Sequence, residues 1–248
     1  MRSLVVSDLH SNLPALTAVL KKVQRKRIDR IFCLGDFVGY GAHPNQVLDT
    51  MRSFKATKVY VRGNHDRVAA GYDEGEGFNH VARTAALWTR DRLSGPNRRF
   101  VRSLPVGPLT TPDGVMICHG SPADEDEYLF GDFHAAAVFD AFDAAITFFG
   151  HTHFPMVFAL DENAGTIATN YIPAGGTFRL EEEKRYLVNP GSVGQPRDRN
   201  PHSSFAIFDD ERRTVQFFRV PYDIRQAQTA ILRAALPPIL AGRLAIGT

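Results

Sequence analysis

Cysteine is nearly absent from this chain: Cys33 and Cys118 are the two it has, each inside an apolar run, IFCLG and VMICHG. A scaffold dense in disulfides is thereby excluded, and the two thiols read as small buried hydrophobes of a reducing compartment. Long hydrophobic runs are missing too. Nothing approaches the ~20 apolar residues that span a bilayer; the most apolar run, AAAVFDAFDAAITFFG, is broken by Asp140 and Asp143. At the start, MRSLVVSD is too short in its apolar part for a secretory leader, so a cytoplasmic protein with no membrane partner is expected. Nor is there an excess of one charge. The 29 Lys and Arg stand against 27 Asp and Glu, a net +2, so no long-range field advertises a nucleic-acid partner. The remainder is an ordinary globular composition, 44% hydrophobic and 23% charged over 248 residues. A chain of that length can bury its own core.

The chain alternates strand and helix from its first residues. SLVVSD, RIFCLGD and KVYVRGN read as strands, each short and rich in β-branched residues. Between them, Asn12 and Pro14 open a helix whose Leu13, Leu16, Val19, Leu20 and Val23 recur at helical spacing. Its terminal Lys21, Lys22, Arg25, Lys26 and Arg27 are a solvated end that complements the helix dipole. HPNQVLDTMRS is a second helix, and NHVARTAALWTRDRL a third that stops at Ser94, Gly95 and Pro96. From Gly114 onward, strand patterns dominate: VMICHG, AITFFG, MVFAL, RYLVNPG, SSFAIFDD and TVQFFRV, with a hairpin at Asp209–Asp210–Glu211 and one helix in FHAAAVFDAF. No repeat or linker divides them, so residues 1–248 read as one α/β domain with two sheets packed together and helices outside. The apolar, Pro- and Gly-punctuated LPPILAGRLAIGT at the end covers a core edge or a subunit contact, which leaves a homo-oligomer open.

Histidine is where the chemistry concentrates. Five short elements carry Asp, His or Asn: Asp8-Leu9-His10, Gly35-Asp36-Phe37-Val38-Gly39, Gly63-Asn64-His65-Asp66, His119-Gly120 and Gly150-His151-Thr152-His153. Four of them directly follow an expected strand, and in open α/β sheets the loops at the carboxyl ends of strands build the ligand site. Residues two apart in an extended chain point the same way, so Asp8 with His10, and His151 with His153, each present two donors to one place. The glycines beside them let the backbone turn sharply and approach closely. Singly, these elements are commonplace caps and turns. Together they supply seven donors: Asp8, His10, Asp36, Asn64, His119, His151 and His153. That is too many for one tetrahedral ion and suits two cations sharing a carboxylate. No thiolate belongs to the set, which argues against a structural zinc site.

This ordered set, DxH, GDxxG, GNHD, H and GHxH from Asp8 to His153, resembles the calcineurin-like metallophosphoesterase superfamily. SDLHSNLPAL, LGDFVGYGAHPNQVL, RGNHD and LVNPGSVGQPRD narrow the resemblance to its small bacterial phosphoesterase branch, with diadenosine-tetraphosphate-hydrolase-like and phosphodiesterase-like members. The resemblance implies a four-layer αββα sandwich of two mixed sheets. It also implies two divalent cations, drawn from Mn, Fe, Zn, Ni and Mg. Asp8, His10 and His153 would hold one, Asn64, His119 and His151 the other, and Asp36 would bridge. The implied activity is hydrolysis of phosphate mono- or diesters, nucleotide-type and extending to dinucleoside polyphosphates, by a hydroxide between the ions.

His65 is then the expected proton donor, with Asp66 beside it to orient it and keep it charged. Arg197 in GQPRD is the first candidate for a phosphate anchor, because a guanidinium fork matches phosphoryl oxygens; Arg67 and Asn12 follow. Asn189 and Ser192 shape a turn close to the metals. The acidic run Asp124–Glu127 reads as a solvated loop, and Tyr40 and Phe37 as core or pocket wall. Two alternatives stand beside this reading: a nuclease, disfavoured by the near-neutral charge, and a non-catalytic protein-binding scaffold, disfavoured by the intact donor set.

Overall fold

In the computed structural model, which describes residues 1–248, the first third follows the expected alternation. β1 (Arg2–Val6) leads to α1 (Leu13–Val23), β2 (Arg30–Cys33), α2 (Pro44–Ser53) and β3 (Thr57–Tyr60). α1 begins as its sequence directs: the Asn12 side chain accepts from Ala15 N, and Pro14 sits in the first turn. Three helices follow, α3 (Asn64–Ala70), α4 (His80–Arg92) and α5 (Gly95–Ser103). Ser94 ends one helix and caps the next through Asn97 N, so the expected stop is also a start.

The second part holds β4 (Leu109–Thr110), β5 (Val115–Ile117), α6 (Asp132–Ala141), β6 (Ile146–Phe148) and β7 (Pro155–Asp161). β8 (Thr166–Tyr171), β9 (Gly176–Arg179), β10 (Lys184–Pro190), β11 (Ser203–Asp209) and β12 (Thr214–Val220) complete the strands. β8 and β9 carry few buried apolar residues, and for that reason the hydrophobic pattern did not reveal them. α7 (Ile224–Arg233) and α8 (Pro238–Gly242) close the chain.

Two mixed six-stranded sheets result, ordered β3-β2-β1-β11-β12-β9 and β4-β5-β6-β10-β7-β8. β1, β2 and β3 run parallel, as do β5, β6 and β10; the remaining pairs are antiparallel. The strand period decides which layer each side chain enters. On β1, Val5 faces the second sheet, where it joins Phe32, Ile117, Phe148, Val188 and Phe208. Leu4 and Val6 face outward into a cluster with Leu16 and Val19 of α1 and Val47 and Leu48 of α2. Met156, Phe158 and Leu187 likewise face away from the first sheet and pack under Ala135, Val138 and Phe139 of α6. Helix, sheet, sheet, helix is the order of layers, as the resemblance implied. The final segment does cover a core edge: Leu236, Leu240 and Leu244 pack with Tyr40 and with Ala82 and Ala85 of α4.

This topology positions the site. The parallel strands of both sheets end at the same edge, and the five elements singled out above follow the ends of β1, β2, β3, β5 and β6.

Candidate metal centre and active site

All seven expected donors meet in one place, and all are buried. Asp8, His10 and His153 form one group and Asp36, His119 and His151 another, with ligand-capable atoms within 4.8 Å of one another in each. Asn64 joins the second group, its Oδ1 lying 3.2 Å from His119 Nε2. Asp36 Oδ2 stands between the groups, 3.7 Å from His10 Nε2 and 3.4 Å from His119 Nε2.

The backbone is bent to achieve this. Asp8, His10, Asp36, His151 and His153 all have φ between 44° and 64°, a region non-glycine residues enter at a cost of about 1–2 kcal/mol each. Such strain persists where surrounding structure over-determines it. Here, Asp8 N donates to Gly35 O and Gly194 N donates to Asp8 O. Asn189, buried at the end of β10, donates through Nδ2 to Gly150 O at 2.7 Å and to Thr152 Oγ1 at 3.0 Å. Ser192 Oγ donates to Asp8 O at 2.9 Å. The turn expected to lie close to the donors therefore ties the loop of Asp8 to the loop of His151.

Tautomers follow from the hydrogen bonds, because a carbonyl oxygen can only accept. His10 Nδ1 faces Val38 O at 3.1 Å, His119 Nδ1 faces Leu34 O at 2.7 Å and His153 Nδ1 faces Gln195 O at 2.5 Å. Each Nδ1 carries the proton, and each Nε2 of a neutral ring offers a lone pair to the cavity. Yet His10 Nε2 and His153 Nε2 are 3.2 Å apart, and His153 Nε2 is 3.2 Å from Asp8 Oδ1. Acceptors facing acceptors repel. Donors sharing one cation through bonds of about 2.1 Å at 90–109° lie about 3.0–3.4 Å apart. Asp8 Oδ1 and His151 Nε2 are buried with no hydrogen-bond partner. The donor set thus fits divalent cations by spacing, tautomer and unmet polar atoms alike.

The charges lead to the same conclusion. Burial alone would raise Asp8 and Asp36, but the imidazoles, His153 for Asp8 and His119 for Asp36, hold both carboxyls well below the usual range. His119 is opposed by burial yet pushed up to about 10 by Asp36, so a proton there takes the place of a cation's charge. His151 is driven down to about 3, chiefly by burial and by His119.

His65 and Asp66 depart from expectation. They belong to α3, whose first turn begins at Asn64, rather than to a loop. The Asp66 carboxylate accepts from Gly63 N at 3.1 Å and Val38 N at 3.2 Å and makes no bond to the His65 ring. Asp66 therefore caps the helix instead of orienting the imidazole, and burial with Asp36 nearby lifts it to about 7. Packing orients His65: its ring centroid is 4.3 Å from Tyr40, 4.6 Å from Phe78 and 5.1 Å from His10. Neither of its ring nitrogens bonds within the protein, and one lies within 4.8 Å of donor atoms of His10 and Asp36. Burial lowers its pKa to about 4, the opposite of the charged ring expected from the sequence.

A cavity of about 290 Å³ opens over the donors, lined by Asp36, Asn64, His65, His151 and His153. Arg197 lines it as well, without any carboxylate partner; its Nη2 reaches only Gln195 Oε1 at 3.3 Å and Tyr40 Oη at 3.5 Å, and its Nε is buried and unbonded. Arg67 lines it but is engaged with Asp73, Glu125 and Asp126. Glu125 also binds Arg62 at 2.9 Å, so Glu125 and Asp126 clasp arginines, while Asp124 and Asp126 remain exposed as in the solvated loop expected. Asn12 is absent from the lining. Its Oδ1 caps α1 and its Nδ2 donates to Gly194 O, which makes it a structural residue. Phe37 is core, whereas Tyr40 forms wall. Phe78 and Tyr128, unremarked in the sequence, complete the rim, with Tyr128 3.9 Å from the His151 ring by centroids. Nothing in their spacing distinguishes them from core aromatics.

The sequence pattern of the calcineurin-like phosphoesterase superfamily domain matches residues 1–213. An uncharacterized protein of Methanocaldococcus jannaschii, MJ0912, is 39% identical over 98% of this chain and 97% of its own. A metallophosphoesterase from Sphaerobacter thermophilus superposes with a TM-score of 0.89 at 38% identity, covering 100% of this chain and 99% of that one. The hypothetical protein PH1004 from Pyrococcus horikoshii OT3, 21% identical with a TM-score of 0.81 over 100% and 98% of the two chains, shares the fold. With its strand-end donors in the expected order, the chain belongs to the calcineurin-like phosphoesterase superfamily.

Proposed function

We propose that this protein is a phosphoesterase that holds two divalent cations, with His65 as proton donor to the leaving group and Arg197 as anchor for phosphoryl oxygens. The observation that carries the reading is the set of buried acceptors facing one another at 3.2 Å with their protons turned away to backbone carbonyls. Asp8, His10 and His153 would hold one ion and Asn64, His119 and His151 the other; Asp36, whose Oδ2 is 3.7 Å from His10 Nε2 and 3.4 Å from His119 Nε2, would be shared between them. When bound, such ions acidify water and neutralise charge developing on phosphorus-bound oxygens.

The chain's own residues complete the chemistry. His65 lines the cavity with a ring that packing alone fixes, so it can give a proton to a departing alkoxide without breaking an existing hydrogen bond. An entering anionic phosphoryl group opposes the burial that lowers the ring's pKa. Arg197, unpaired, supplies a fixed positive charge beside it. The substrates are phosphate mono- or diesters of nucleotide or aryl type.

The test is a panel of aryl monoesters, aryl diesters and dinucleoside polyphosphates, run on metal-stripped protein reloaded in turn with Mn, Fe, Zn, Ni and Mg. Hydrolysis of at least one class that returns only with metal is expected. Absence of turnover across the panel, with two ions bound, would refute the proposal.

A further inference from the structure

The superfamily pattern ends at residue 213, yet the segment beyond it returns to the cavity wall. Leu240 and Leu244 pack with Tyr40, and Arg243 sets its guanidinium 5.9 Å from the centre of the Tyr40 ring. The guanidinium of Arg197 lies at the same 5.9 Å from that ring. Attraction to the aromatic ring helps to hold each cation there, but neither has a carboxylate partner. Arg243 gives its Nε to Thr248 O, which leaves Nη1 and Nη2 without protein partners. Asp198, the carboxylate next to Arg197 in the chain, is turned to Arg219 instead. Arg243 is half-buried, and burial together with the charge of Arg197 holds its pKa below the ordinary arginine value. Like charges kept near each other in a partly dry place are unfavourable until an anion joins them. The two are also fixed relative to one another. Arg199 N donates to Gly247 O at 2.8 Å. Gly247, at φ +64°, lies so close to Asn200 that a Cβ would meet its N and C at 2.7 Å.

We propose that Arg243, with Arg197, forms a second anion subsite at the edge of the cavity. Arg243 is then a specificity-determining residue, selecting phosphate esters that carry a further oxyanion, phosphate or carboxylate, beyond the phosphoryl group at the metals. The inference rests on the phosphoesterase reading and deepens it. Arg197 lines the cavity and Arg243 does not, so Arg243 meets the far end of such a substrate while Arg197 stands between. A guanidinium fork fits either oxyanion with two parallel hydrogen bonds. The contact between Gly247 and the loop of Arg197 keeps the two forks at one spacing, so the second anion is read by position as well as by charge.

The test is calorimetric binding of three probes to the metal-loaded protein: propylphosphonate, 3-phosphonopropanoate and propane-1,3-diylbisphosphonate. Their P–C bonds do not hydrolyse, so binding is read without turnover. At least one of the two probes with a second anion is expected to bind about ten-fold tighter than propylphosphonate, the scale of one charge-assisted contact. The larger of the two gaps names the second group as carboxylate or phosphate. Arg243→Gln should shrink the gap several-fold while leaving propylphosphonate affinity and metal content unchanged, and Arg243→Lys should keep part of it. Gly247→Ala retains both arginines but drives their segments apart, and it should shrink the gap as well. An arginine that only packs on Tyr40 would lower Tm when replaced by glutamine and leave the gap intact. Equal affinity for all three probes in the unaltered protein, or a gap that survives Arg243→Gln, would overturn the inference alone. Failure of all three probes to bind would overturn the phosphoesterase reading and this inference with it.

Discussion

Gly39→Ala tests the assignment of His65 without touching His65. Gly39 has φ +89°, and a Cβ built there would lie 2.4 Å from His65 Nδ1 and 2.8 Å from its Cγ. The backbone term alone is about 1–2 kcal/mol for an L-residue in the left-handed region. In a chain of this size that lowers Tm by about 2–8 °C. The steric clash adds little to stability if the ring moves, and the ring has one way to go. Tyr40, Phe78 and His10 surround it at 4.3, 4.6 and 5.1 Å, so it shifts within the cavity. None of the other candidate donors' side chains is among the atoms nearest the new methyl group. Metal content should therefore stay at two ions per chain while kcat falls toward that of His65→Ala. Loss of a general acid costs about 10²–10⁴-fold, and less for a nitrophenyl ester, whose leaving group needs little protonation. The assay pairs metal analysis and thermal unfolding with kcat on an alkyl and a nitrophenyl phosphate ester. Unchanged kcat on the alkyl ester, with Tm lowered as calculated, would refute the role given to His65.

Asp36→Asn should lower metal occupancy at both positions together, since its Oδ2 lies between the two donor groups; metal analysis showing loss from one position only would contradict a bridge. Arg197→Ala should raise KM for a polyphosphate ester with little change in kcat, the pattern of lost uniform binding, and do less to an aryl monoester. Equal effects on both would place Arg197 on the reacting phosphoryl group itself. Asn189→Ala removes three hydrogen bonds, two from Nδ2 and one accepted from Gly191 N, and leaves buried backbone unpaired. A stability loss of about 3 kcal/mol by denaturant unfolding is expected, with weaker metal retention. A loss under about 1 kcal/mol would mean that the loop of His151 does not depend on it.

Much of this protein is legible in one dimension. The layer order follows from alternating periods of 3.6 and 2, and the seven donors follow from short local patterns at strand ends, where position along the chain already fixes direction. Asn12 and Pro14 announce their helix because a cap acts within three residues. The short strands Thr166–Tyr171 and Gly176–Arg179 give no such signal, because edge strands with little buried apolar surface carry no period to read. Contacts between distant segments are a different matter. Asp66 caps its helix locally, through Gly63 N three residues back, but that its second oxygen is also taken up, leaving none for His65, depends on Val38 N arriving from another loop. That Arg67 is neutralised depends on residues 58 and 59 positions away, and that Arg197 is not neutralised depends on no carboxylate arriving at all. Phe78 and Tyr128 become rim residues only because His65 and His151 arrive beside them. Local bonding determines which residues carry the chemistry; only the packing of two sheets, which brings their strand ends to one edge, decides which charges remain unpaired there and which surfaces a substrate meets.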